Sequence, residues 1–76
     1  MKFRIVKTAE TGKVLKIIDT DLESPLSAAL TLDVRRQTVD DNLIAQRWDD
    51  ELGRWLKSDP FNHVPFGDQI RKEMGL

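Results

Sequence analysis

Phe3, Ile5, Leu15 and Ile17 alternate with mostly polar or charged neighbours on either side of a turn at residues 9–12. Alternation with a period of two marks half-buried strands. Setting Ala9 opposite Lys13 puts Ile5 opposite Ile17 and Lys7 opposite Leu15. Phe3, Ile5, Leu15 and Ile17 then share one face of a first hairpin. Arg4, Val6, Val14, Lys16 and Ile18 fill the other face, which is not purely polar and so predicts partial cover. Further on, Ser24-Pro25 is a helix-start signal: a serine side chain caps free amides, and proline suits the first turn. The spacing predicts a helix over 25–36, with Leu26, Ala29, Leu30 and Val34 on one face. A competing alternation of Leu30, Leu32 and Val34 with Thr31, Asp33 and Arg35 reads as a strand over 30–36. The helix is preferred because Ser24-Pro25 and Ala28-Ala29 both agree with it.

Residues 42–58 carry two patterns at once. As a helix over 42–57, Ile44, Ala45, Trp48, Leu52, Trp55 and Leu56 form a single stripe. As a hairpin, Trp48 and Trp55 flank the acidic turn Asp49-Asp50-Glu51-Leu52-Gly53. Gly53 costs a helix interior about 1 kcal/mol relative to alanine. The turn also repeats a plan: Glu10-Thr11-Gly12-Lys13-Val14-Leu15-Lys16 and Glu51-Leu52-Gly53-Arg54-Trp55-Leu56-Lys57 share Glu-x-Gly-basic-x-Leu-Lys. Glycine there takes positive φ without steric cost, as a bulged hairpin turn requires. The hairpin is therefore expected. If the second turn copies the first, Asp50 faces Arg54 and Trp48 faces Leu56. Ile44, Trp48 and Leu56 then point to the core, and Trp55 points the other way with Arg47 and Lys57. A loop one residue longer sets Trp48 opposite Trp55 instead.

The tract from Arg47 to Pro60, with its Trp48-Asp49 turn, Gly53-Arg54-Trp55 and Asp59-Pro60, resembles the one that ends the YD-repeat (Rhs) arrays. That resemblance implies a β-hairpin. It lacks the paired tyrosines and turn proline usual there, and it implies no function.

Asp59-Pro60-Phe61-Asn62-His63-Val64-Pro65 reads as ordered but irregular, with Phe61 and Val64 tucked inward. Phe66, Ile70 and Met74 predict a short closing helix over about 67–74. The expected fold is a small α+β domain of order β-β-α-β-β with that C-terminal helix, occupying 1–76 as one compact unit. A chain of 76 residues carries one modest core. No cysteine is present, so no disulfide supports it, which fits a reducing compartment. With no signal peptide or apolar span in view, the chain is read as cytoplasmic.

Charge is uneven. Residues 1–16 hold Lys2, Arg4, Lys7, Lys13 and Lys16 against Glu10, a balance of +4, and residues 17–34 carry a balance of −4. A basic ribbon followed by an acidic connection makes a nucleic-acid-binding reading worth stating, with Arg35, Arg36, Arg47 and Arg54 extending the track. The whole chain nevertheless carries a net charge of −1, whereas nucleic-acid domains are basic.

Catalytic chemistry finds little support. Ser58, Asp59 and His63 can be written as a triad, but no glycine elbow or oxyanion motif accompanies them. Asp40-Asp41 and Asp49-Asp50 lack the ligand spacing of a calcium loop. No cofactor and no metal are expected. Tryptophan and arginine are the side chains most enriched where proteins grip one another. The sequence therefore predicts a non-enzymatic protein-binding module, a small bacterial or phage-encoded regulator or inhibitor. Its expected contact residues are Arg47, Arg54, Trp55 and Lys57 on the second hairpin. An open hairpin edge also allows a homodimer.

Overall fold

The computed structural model describes residues 2–63. Strands β1 (Phe3–Thr8) and β2 (Val14–Leu22) form the first hairpin, helix α1 (Pro25–Thr38) follows, and β3 (Ile44–Asp49) and β4 (Arg54–Ser58) form the second. A 3-10 turn over Pro60–His63 comes last. The strands make one antiparallel sheet in the order β2-β1-β3-β4. This is the expected small α+β fold. The helix runs two residues beyond the predicted end, and neither the strand over 30–36 nor the helix over 42–57 forms. The closing helix expected over 67–74, and Val64 before it, lie outside the described residues.

The first turn is the glycine-closed reversal that the sequence predicts. Ala9 N–H donates to the Lys13 carbonyl at 2.8 Å, Gly12 N–H donates to the Ala9 carbonyl at 2.9 Å, and Gly12 sits at φ +89°. Beyond the turn the register departs from strict alternation. Lys7 lies opposite Lys16, Val6 opposite Ile17 and Ile5 opposite Asp19, with irregularities at three points along β2. Each bulge sets extra β2 residues against β1 and resets which side chains face inward. Phe3 and Ile5 are buried as expected, but Leu15 and Ile17 are 58% and 47% exposed. Ile18 and Leu22 pack against the core in their place. Asp21, within the last bulge, takes φ +60°, a left-handed conformation that aspartate tolerates better than most residues.

Helix α1 begins as its sequence dictates. The Ser24 hydroxyl accepts the Ser27 N–H at 3.1 Å, and Pro25 occupies the first turn. The inward face is the correction. Ala28, Ala29, Leu32 and Asp33 are buried, whereas Leu26, Leu30 and Val34 are exposed. The helix is thus rotated by about 100°, one residue's worth, from the face of highest apolar content. Two alanines let its backbone approach the sheet closely, and Leu32 supplies the volume. Polar ties hold that rotation on both flanks. Arg35 clamps Asp19 on β2 with two bonds, Nε at 2.8 Å and Nη2 at 3.2 Å. On the other flank, Arg36 Nε donates to the Leu43 carbonyl at 3.0 Å.

The core joins Ile5, Ala29, Leu32, Leu43, Ala45 and Phe61. Phe61 tucks inward as predicted, because Asp59 Oδ1 accepts its N–H at 3.1 Å and starts the 3-10 turn. The loop from α1 to β3 is fastened to β1 by Lys7 Nζ and Asp40 Oδ2 at 2.8 Å. Asp40 Oδ1 also accepts the Asn42 N–H at 2.9 Å. The Lys7 ammonium, then the Asn42 amide, hold the Asp40 carboxyl below its ordinary range, and Asp40 in turn raises Lys7.

Two outcomes follow. Leu32→Ala, at a site 2% exposed, is expected to lose about 3 kcal/mol in urea unfolding. Leu30→Ala, at 41% exposed, is expected to lose under about 1 kcal/mol; equal losses would contradict the helix rotation. The Asp40 contribution is present above the unfolded carboxylate pKa of about 3.9 and is lost as pH falls through the lower folded value. That of Lys7 persists below about pH 10.4 and is lost as pH rises through its raised value. Asp40→Asn should therefore flatten the acid limb of a Tm-versus-pH curve and the far alkaline limb with it.

Candidate functional site

One helix covers one face of the sheet. The cross-strand register assigns Ile5, Ala45, Arg47 and Leu56 to the helix side and Arg4, Val6, Ile44, Gln46, Trp48, Trp55 and Lys57 to the other. Among the described residues, no helix or strand packs over that second face.

The second hairpin builds the centre of this face. Its turn does not copy the first, although the two share a sequence plan. Gly53 N–H donates to the Asp49 carbonyl at 2.8 Å, with Gly53 at φ +63°. The Asp49 carboxylate meanwhile accepts the Leu52 N–H at 2.9 Å. Asp49 therefore pairs with Arg54 around a loop one residue longer than that of the first turn, and Trp48 pairs with Trp55. This corrects the expected pairing of Trp48 with Leu56. An aspartate side chain bonding forward to the backbone supports the longer loop, and the indole pair adds its own contact energy across the strands. The Trp48 Nε1–H donates to Asp50 Oδ1 at 2.9 Å, which ties the indole to the turn.

The two indoles meet edge to face, with centroids 5.4 Å apart and planes at 69°. This is the geometry that the aromatic quadrupole favours. Arg4 reaches across from β1 and sets its guanidinium 4.3 Å from the Trp55 ring centroid. Its Nε donates to Gln46 Oε1 at 2.8 Å, so the guanidinium is held over the ring. Partial burial pushes the Arg4 pKa down, yet a guanidinium stays charged across the range in which proteins are folded. Both tryptophans are half-buried, and Lys57 beyond them is exposed.

The four residues expected to form one patch therefore divide. Trp55 and Lys57 stand together on the open face. Arg47 and Arg54 lie on the helix side of the sheet, where Arg54 is opposite Asp49. Arg47 lines an open depression with Lys2, Asp21, Glu23, Asp49 and Glu51. Arg4 and Trp48 take their places beside Trp55. The signal for Arg4 in the sequence is weak, because nothing local announces that β1 lies next to β3. Among the described residues, no group of three acidic or histidine side chains is arranged to hold a metal ion. No described helix is long and apolar enough to cross a membrane. Comparison with families of known proteins, with curated proteins and with solved structures gave no match.

A double-mutant cycle on Arg4→Met and Trp55→Leu should give a coupling energy of about 1 kcal/mol in urea unfolding, as a partly desolvated cation–π contact gives. Strictly additive losses would show that the guanidinium and the ring do not interact.

Proposed function

We propose that the chain is a non-enzymatic protein-binding module whose contact surface is the open sheet face around Trp55. The observation that carries this reading is a half-exposed indole pair with a fixed guanidinium on a face that no described element covers. Tryptophan and arginine supply large rigid contact area and strong directional bonds, which is why they dominate contact energetics. Arg4 is already oriented, so little side-chain freedom remains to be lost on binding. With Lys57 exposed alongside, the face suits a partner surface that sets carboxylates among apolar side chains. A small regulator or inhibitor, bacterial or phage-encoded, works through such a surface. A cytoplasmic setting is part of this reading, and the absence of cysteine fits a reducing compartment.

The second reading is nucleic acid, favoured by one observation. Paired aromatics on the open face of a four-stranded sheet are a platform on which single-stranded bases stack. Three features weigh against it. One face of Trp55 is taken by Arg4. Lys7 of the basic hairpin is paired with Asp40, and Arg35 with Asp19. The depression beside Trp48 sets five acidic residues, Asp21, Glu23, Asp49, Asp50 and Glu51, against two basic ones, Lys2 and Arg47.

Arg4→Gln keeps a group able to bond Gln46 and removes the charge. Its expected effect is a retained fold with a Tm lower by about 4–8 °C, the loss of the cation–π contact, and about tenfold weaker capture of a partner retained by the wild type at a temperature where both are folded, a loss of about 1.4 kcal/mol. Partners retained equally by both would remove this face from the contact. Tryptophan emission should not change on titration with single-stranded oligonucleotides. Quenching that weakens steeply with salt would favour the second reading.

A further inference from the structure

Among the described residues the sheet ends in two edges that no further strand pairs with, and they differ. Strand β2 is irregular at three points and carries Asp21 in a left-handed conformation. Bulges of this kind twist an edge away from any incoming strand. Strand β4 pairs with β3 through five consecutive residues without a bulge. Among the described residues, no strand lies on its far side.

A single bond fixes which backbone groups β4 offers outward. Trp48 N–H donates to the Lys2 carbonyl at 2.9 Å, toward β1. In an antiparallel pair each residue directs both its N–H and its C=O to the same side. Trp48 therefore turns its polar groups away from β4, and the Trp48–Trp55 pair is one that exchanges no hydrogen bonds. It follows that Arg54, Leu56 and Ser58 point their backbone groups at β3. Trp55 and Lys57 point theirs outward.

We propose that β4 pairs antiparallel with β4 of a second copy of this chain, about a two-fold axis at Leu56. In that register Trp55 and Lys57 of one copy exchange N–H and C=O groups with Lys57 and Trp55 of the other. Every outward backbone group of the strand is then satisfied. The ammonium of Lys57 lies across from the indole of the partner's Trp55, a favourable cation–aromatic neighbour. Arg54 faces the partner's Ser58, and Leu56 faces its own copy on the helix side. Moving the axis to Lys57 sets two like charges opposite each other, which is destabilising. Moving it to Trp55 pairs Lys57 with Gly53 of the turn, outside the strand. Shifts by a single residue bring inward-pointing groups against outward-pointing ones and make no ladder. The edge thus admits one good register, and a self-complementary patch of this type generates a closed dimer. The interface is one strand wide, so the dimer is concentration-dependent. The inference rests on the backbone groups of the strand edge, although the Trp55 and Lys57 side chains it brings together also stand on the proposed contact face.

The test uses the full chain. Sedimentation equilibrium over a concentration series should show the wild type rising from 8.8 kDa toward twice that mass. Lys57→Pro removes an N–H that points outward and leaves the ladder to β3 intact, as proline on an edge strand does. It is expected to keep the wild-type circular dichroism at low concentration and to remain at the one-chain mass throughout. A second readout needs no variant: the amides of Trp55 and Lys57 should gain protection from hydrogen exchange as concentration rises, while those of β2 do not. A wild type that stays at one-chain mass, a Lys57→Pro chain that dimerises as well as the wild type, or Trp55 and Lys57 amides whose exchange ignores concentration would each overturn the proposal.

Discussion

The hydrogen bond from the Trp48 N–H to the Lys2 carbonyl fixes how the two hairpins sit against each other. It continues the β1–β3 pairing beyond Phe3–Arg47 and sets the direction of every backbone group in β3 and β4. Because it points the Trp48 amide toward β1, Trp48 meets Trp55 as a non-hydrogen-bonded pair. Strands approach most closely at such pairs, with Cα atoms about 4.5 Å apart. Close approach lets the two indoles touch edge to face, and it leaves Trp55 within reach of Arg4 on β1. The composition of the open face and the polar groups along the free edge are both consequences of that one bond.

The two faces of the sheet are stabilised differently. On the helix side, apolar volume does the work: Leu32 and the two alanines close on Ile5, Leu43, Ala45 and Phe61. Charged ties then hold the helix from rolling, Arg35 to Asp19 on one flank and Arg36 to the Leu43 carbonyl on the other. On the other side, Val6 and Gln46 are buried, and the contacts around Trp55 are aromatic and cationic. A domain this small hides a limited share of its unfolded surface, and the aromatic area on the face that no described element covers is what the proposed contact surface draws on.

The sequence made the order of elements legible and left the facing of side chains obscure. Ser24-Pro25 marks the helix start because capping is local, and Gly12 and Gly53 mark reversals because positive φ is local. Local spacing points Leu15, Ile17, Leu26, Leu30 and Val34 inward, yet all five are exposed, because facing is decided at a distance. Bulges in β2 shift Leu15 and Ile17 outward, and no residue type announces them. Helix α1 follows alanine rather than leucine because close approach to the sheet, with Arg35 and Arg36 anchored, outweighs the greater apolar area on the other side. At the site, Trp55 and Lys57 share a face in either register; Arg47 joins them only with the shorter loop, which Asp49 lengthens, and Arg54, next to Trp55 in the strand, takes the opposite face in both. Arg4 carries no local signal, because its partners, Gln46 and Trp55, lie over forty residues away.

The direct measurement of the central claim is the cross-strand Hα–Hα nuclear Overhauser contact of Trp48. Non-hydrogen-bonded pairs bring these protons closest of all in an antiparallel ladder. A strong contact between the Hα atoms of Trp48 and Trp55 is the expected result, with slow exchange of the Trp48 amide. A Trp48 contact to Leu56 instead, or a Trp48 amide that exchanges freely, contradicts the arrangement.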